Sequence, residues 1–224
     1  MKIHHFAACA LLGMTSLAAH SQQNTVRAGV AHIMVHDESA DFTTNGPAFL
    51  TPQPAGVSIA NASTLLLSYS RALDEHWDVE LAAGVPPRQD VLGRGVLAPF
   101  GVIARVKQAA PTLFLNYTFG AAGPGKLRPF VGVGINHTRF YDGESTDAGM
   151  LASGGPTKIS LTNSTGAAGQ VGLDYRFDQH LSAHVSVMKV KVRSNMTATT
   201  GSIERKTEIN FKPIVATVAL GYSF

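Results

Sequence analysis

The chain has 224 residues, 45% hydrophobic and 15% charged, with 22 glycines and a formal net charge of +3. That length suits one domain of ordinary size, and no run of cations implies nucleic acid as a partner. The only cysteine, Cys9, lies in the N-terminal segment, which excludes disulfides, a thiolate nucleophile and Cys-ligated metal from the remainder.

Residues 1–21 read as a cleaved secretory signal, which leaves 22–224 as a single domain. Lys2 supplies the positive start, Phe6 to Ala19 the apolar stretch, and Ala19-His20-Ser21 a small-residue cleavage site. The apolar stretch is too short for a transmembrane helix. Phe6-Ala7-Ala8-Cys9 is lipobox-like, but too few residues precede it for a lipoprotein signal. Beyond the signal, nothing approaches about eighteen consecutive apolar residues, and helical periodicity is missing throughout.

What replaces it is period-two alternation. Strands are predicted at 25–35, 62–71, 76–85, 106–119, 127–141, 166–177, 181–193 and 212–224. Strand three sets Trp77, Val79, Leu81, Ala83 and Val85 against Asp78, Glu80, Ala82 and Gly84. Strand four sets Leu113, Leu115, Tyr117 and Phe119 against Thr112, Phe114, Asn116 and Thr118. Strand six sets Val171, Leu173, Tyr175 and Phe177 against Gln170, Gly172, Asp174 and Arg176. Strand seven changes phase near Met188. The last strand is apolar at Ile214, Ala216, Val218, Leu220, Tyr222 and Phe224 and ends on that aromatic. Its C-terminal signature suits recognition by barrel assembly machinery.

The connections alternate in length. Asp74-Glu75, residues 120–126 (with Gly123-Pro124-Gly125 as turn chemistry) and Asp178-Gln179-His180 are short, whereas 36–61, 86–105, 142–165 and 194–211 are long loops. Short turns on the periplasmic side and long loops outside mark an outer-membrane barrel. The fold class is therefore all-β: an eight-stranded antiparallel up-and-down transmembrane β-barrel in the outer membrane of a Gram-negative bacterium, with periplasmic termini. Tyr69, Trp77, Tyr117, Phe119, Tyr175, Phe177, Tyr222 and Phe224 then share one face and one height, as an interfacial aromatic girdle does. Tyr141 is the only good candidate for an upper girdle.

Several of these segments resemble the OmpW family of small outer-membrane barrels. They are Val26-Arg27-Ala28-Gly29, Asp78-Val79-Glu80-Leu81, Pro111-Thr112-Leu113 leading to Tyr117-Thr118-Phe119-Gly120, and Arg128 to Asn136. Gly166 to Tyr175 and Gly221-Tyr222-Ser223-Phe224 complete them. The similarity runs in order along the whole mature chain. It implies an eight-stranded barrel with a narrow hydrophobic channel that passes or binds small apolar molecules; some relatives act as colicin receptors. Two segments depart from the family pattern. Strand seven carries Lys189, Lys191 and Arg193 where relatives tend to have aromatic and acidic residues. These cations either lie near lipopolysaccharide phosphates or form a solvated strand top. The first loop is rich in Pro and apolar residues (Pro47 to Ile59).

Parity places Arg27, Asp78, Glu80, Asp174 and Arg176 in the lower lumen as a polar plug, since confined opposite charges must pair. Ile33, Leu66, Phe114, Phe140, Met188 and Val190 point inward nearer the outside and form a hydrophobic lumen for a small apolar ligand. The expected function is a channel or binding barrel for small hydrophobic molecules, which enter from outside and leave sideways to the membrane. Its partners would be that ligand together with outer-membrane lipid and lipopolysaccharide. The alternatives are a structural or receptor barrel for phage or bacteriocin, a soluble lipocalin-like binder, or a lipid A-modifying enzyme.

His184-Val185-Ser186 has the spacing of a base and nucleophile, but points into the lumen with no acidic orienter obvious beside it. No catalytic residue, cofactor or metal site is expected. His180 and His184 share a strand face but stand about 13 Å apart, and Gly132-Val133-Gly134 has no following helix to make a phosphate loop.

Overall fold

The computed structural model describes residues 23–46 and 54–224. The signal expected at 1–21 lies outside them, as does part of the Pro-rich first loop. In chain order the strands are β1 (Asn24–Met34), β2 (Glu38–Ser39), β3 (Thr43–Thr44), β4 (Ala55–Ile59), β5 (Ala62–Ala72), β6 (Trp77–Gly84), β7 (Arg88–Gly95) and β8 (Val102–Ala109). Then come β9 (Thr112–Thr118), β10 (Leu127–Ser145), the helix α1 (Asp147–Ser153), β11 (Thr157–Leu161), β12 (Ser164–Arg176), β13 (Leu181–Val190), β14 (Arg193–Thr200), β15 (Ile203–Asn210) and β16 (Ile214–Ser223).

Eight of these close an antiparallel barrel in the order β1-β5-β6-β9-β10-β12-β13-β16 and back to β1. The closing seam runs from Thr25↔Ser223 to Met34↔Ile214. It is finished by a reciprocal pair between Asn24 and Phe224, at 3.0 and 2.9 Å. Closure satisfies the backbone polar groups internally, a requirement for any sheet that crosses hydrocarbon.

Above the barrel the long segments are not loops, as the sequence had suggested. They continue the wall as hairpins: β4–β7–β8–β10 on one side and β10–β11–β14–β15 with β2 and β3 on the other. The predicted strand 106–119 is two strands, broken at Ala110-Pro111. The strand expected at 127–141 runs on to Ser145, and the one expected to reach 193 stops at Val190. Helical structure is present too: α1 is short, capped by Thr146, whose side chain accepts from Gly149 N–H. A Cβ at Gly149 would collide with the Ile103 carbonyl oxygen, so α1 can pack flat against β8 only with glycine there.

Strand seven keeps its phase through Met188. Ser182, His184, Ser186, Val190 and Val192 all face inward and Val185, Val187, Lys189 and Lys191 outward. What changes is polarity. Below this level the wall is apolar outside and polar inside; above it, polar outside and apolar inside. The upper interior accordingly holds the main apolar core, with Phe42, Val57, Val91, Ile103, Val106, Met196 and Ile209.

Candidate functional site

The lower lumen is a continuous hydrogen-bonded layer. Arg27 on β1 reaches Glu80 on β6 and Asp174 on β12, each at 3.4 Å, and donates to Ser70 Oγ at 3.1 Å. Asn116 Nδ2 donates to Asp78 at 3.0 Å and to Glu80 at 3.1 Å. Gln170 Nε2 donates to Glu80 at 3.0 Å and to Asn116 Oδ1 at 2.8 Å. Arg27 and Glu80 are 8% and 3% exposed, so the pair is shielded from solvent and held by several partners. Arg176 is not part of this layer. It donates to Gln23 Oε1 at 2.7 Å, nearer the short-turn end. Arg128, which parity reasoning overlooked, donates to the Glu75 and Gly120 carbonyls at 2.6 and 3.4 Å at that same end.

Above the polar layer lies a cavity of about 80 Å³. Ile33, Leu66, Met188, Val190, Val192, Phe211 and Val215 give it apolar walls; Thr112, Asn136, Thr138, Gln89 and Gln108 form a polar strip on one side. Of the residues expected here, Ile33, Leu66, Met188 and Val190 line it. Phe114 and Phe140 point inward but are packed in the core, Phe114 in register with Glu80 and Phe140 stacked on Phe211 at 5.3 Å. Over the outer end, α1 covers Ile103, Ile159, Met196 and Ala198, which leave a void of about 30 Å³.

The cavity also reaches the wall. Ala83, Gly84, Pro87 and Ala110 line it, and Ala83 faces outward. Here the ladder is interrupted. β6 pairs with β9 up to Ala82↔Thr112, and β7 pairs with β8 from Arg88↔Lys107. Across the interval Gln108 N–H donates to the Pro87 carbonyl, at 3.4 Å. Pro86 and Pro87 offer no N–H to this stretch of wall, whereas Pro111 turns its carbonyl away from it, to His137 N–H on β10 at 3.0 Å. Asn136 Nδ2 donates to the Ala110 and Pro111 carbonyls at 3.2 and 3.3 Å and holds that edge in place.

Outside, the eight aromatics expected as a girdle all lie on the outward face at the short-turn end. Trp77, Tyr117 and Phe119 meet edge to face at 5.0 and 4.9 Å, and Tyr175 meets Phe177 at 5.3 Å. Above them runs a band of exposed Val, Leu and Ile, with Val133 at 69% and Leu220 at 66%. An apolar belt around a charged interior is a surface for lipid.

The sequence profile of the OmpW family matches residues 21–224. The chain belongs to the OmpW family. It is 31% identical to outer membrane protein W of Escherichia coli K12 over 218 residues, covering 97% of this chain and 96% of that one. It is 27% identical to the dibenzothiophene metabolism operon protein PahQ of Pseudomonas aeruginosa, covering 89% and 88%. The crystal structure of the outer membrane protein OprG from Pseudomonas aeruginosa superposes with a TM-score of 0.81 at 25% identity, covering 91% and 96%. The protein is thus an outer-membrane β-barrel of a Gram-negative bacterium, of a kind implicated in moving small hydrophobic molecules across that membrane.

Within this OmpW-family barrel, His184 does have an acidic partner, contrary to the sequence reading. Asp174 Oδ1 stands 2.8 Å from His184 Nδ1, and Ser186 Oγ 3.1 Å from Nε2. With the carboxylate accepting, Nδ1 carries a proton, and Nε2 and the serine hydroxyl share the second bond. Proximity in sequence could not reveal this, because Asp174 comes from the adjacent strand, in register with His184. Ser186 is only 5% exposed, Asp174 is shared with Arg27, and neither described cavity opens on the serine. The arrangement extends the polar layer. Among the described residues no cluster of His, Cys, Asp or Glu could hold a metal ion.

Proposed function

We propose that the barrel takes small apolar solutes from outside into the upper cavity and releases them sideways, between β6 and β9, into the outer leaflet. The long-hairpin end is then extracellular and both termini are periplasmic. The observation that carries this reading is the coincidence of the apolar cavity with the proline-flanked gap in the wall. Burial in the cavity contributes about 0.8 kcal/mol per CH₂. The way down crosses Arg27, Glu80, Asp174, Asn116 and Gln170, which offer a greasy molecule nothing. A sideways exit requires no such crossing and leads directly to hydrocarbon. The operon name of the PahQ relative, which specifies dibenzothiophene, agrees with an apolar cargo. A cavity of about 80 Å³ holds only a small solute or one segment of a larger one. Met188, unbranched and half-buried on its wall, is the side chain best able to yield. Uptake from outside also requires α1 to shift from the core it covers.

The test is uptake of a graded series of apolar solutes into proteoliposomes. Ile33→Arg places a charge in the cavity and lowers uptake about tenfold or more. Replacing Pro86 and Pro87 by alanine returns N–H donors to that edge of the gap. That variant lowers uptake while solute binding persists. Unchanged uptake in both variants, with correctly folded barrels, would dismiss the route.

A further inference from the structure

We infer that the outward face of β10, β12 and β13 is a docking site for the phosphorylated head of a lipid A-type glycolipid of the outer leaflet. From the top of β13 to the first residue of β14 three cations follow one another on the outward face, Lys189, Lys191 and Arg193, and Arg139 stands two strands from β13 on β10. Among the described residues none of the four forms an ion pair. Six other cations of the upper wall do: Arg88 with Glu144, Arg94 with Asp41, Arg105 with Asp90, Lys107 with Asp142, Lys206 with Glu204 and Lys212 with Glu38. Among the described residues Lys158 on β11 is a further unpaired cation, but it stands alone, whereas here several unpaired cations are gathered. The nearest outward acid, Glu208 on β15, lies one row above Arg193, farther from the bilayer.

Height fits the assignment. Leu181, at the girdle level beside Tyr222, is ten residues below Lys191. That is about 33 Å along the strand, or about 25 Å of height at a barrel tilt near 40°. The apolar band of such barrels is also about 25 Å tall. The cations therefore stand where the hydrocarbon ends and lipid phosphates begin.

Shape fits too. Between the β13 cations and β10, the outward positions of β12 are Thr165, Ala167 and Gly169, which leave a furrow. A Cβ added at Gly169 would find only the Gly132 carbonyl oxygen, at 3.8 Å, so no packing requirement excludes a side chain there. The furrow continues down onto Val133 and Val171 and offers an acyl chain an apolar bed below its phosphate.

The test measures binding of the folded full barrel in detergent to bis-phosphorylated lipid A by native mass spectrometry. The comparison ligands are fully dephosphorylated lipid A and phosphatidylglycerol. Replacing Lys189, Lys191 and Arg193 together by Gln weakens the phosphorylated ligand on the order of a hundredfold, at roughly fivefold per cation. Gly169→Leu fills the furrow and weakens it several-fold with all charges retained. Replacing the ion-paired Arg88 and Lys107 by Gln leaves binding unchanged. All these side chains point away from the interior; if the triple variant fails to fold, Lys191→Gln alone and Gly169→Leu provide the same reading. Equal affinity of the native barrel for phosphorylated and dephosphorylated lipid A would overturn the assignment, as would a folded triple variant that binds like the native protein. Phosphatidylglycerol bound as tightly as lipid A would overturn the choice of glycolipid.

Discussion

Arg27 shows what a single residue must satisfy inside a barrel. Its guanidinium is shared between Glu80 and Asp174, and each carboxylate is further held, Glu80 by Asn116 and Gln170, Asp174 by His184. Removing one partner leaves a buried charge uncompensated, which costs about 3–5 kcal/mol. Glu80→Ala should therefore destabilise the barrel by that order. Combining it with Arg27→Met should cost less than the two single losses added, because the orphaned charge goes with its partner. Urea titrations of the four proteins in lipid vesicles measure the coupling, and strict additivity would argue against it. Parity along each strand was enough to place Arg27, Asp78, Glu80 and Asp174 on the inner face. It could not place Arg176, which has the parity of Asp174 but bonds to Gln23, nor separate Leu66, which lines the cavity, from Phe114, which is packed away. Parity fixes the face of a residue; depth comes from the register between strands, which one sequence does not show. The Gln170–Glu80 contact crosses the lumen and was invisible for the same reason.

At the scale of elements, the short turns were readable because they repeat one local chemistry. Asp74-Glu75-His76-Trp77 and Asp178-Gln179-His180-Leu181 share a geometry in which the Asp Oδ1 accepts two backbone N–H groups, at 2.7 and 2.8 Å in the first and 2.7 Å twice in the second. Those bonds hold both carboxyls below the usual carboxylate range. A depressed folded-state pKa contributes stability that is present above the unfolded value, near 4, and is lost as pH falls through the folded one. Replacing Asp74 and Asp178 together by Asn should flatten the acid side of the stability curve. Urea midpoints measured from pH 6 down to pH 3 test this: the native barrel loses more than the variant, and parallel curves would refute it. The long segments were misread for a different reason. In β14 and β15 the outward residues Arg193, Asn195, Lys206 and Glu208 are polar, while Met196 and Ile209 are buried. That is the inverse of the lipid-spanning pattern, so strands of the upper wall look like loops to a reading tuned for lipid-facing alternation. The apparent change of phase at Met188 was this same inversion, seen on one strand.

For the whole molecule, the inversion locates the membrane. On β10 the outward residues pass from Val131, Val133 and Ile135 to His137 and Arg139; on β13 they pass from Val185 and Val187 to Lys189 and Lys191. A soluble barrel would have no reason to exchange its inside and outside polarity partway along one strand. Lipid below and water above give that reason, and they make the consequence of a misplaced charge depend on height. Val218 on β16 is in register with both Val185 and Val30, midway up the band, and is 58% exposed. Val218→Lys should cost about 2–4 kcal/mol of stability in a bilayer. Asn195→Lys, also outward but above the boundary, should cost close to nothing. Folding titrations in vesicles compare the two directly. Equal costs would mean that Val218 meets water as Asn195 does, and the lateral exit would then have no hydrocarbon to open into.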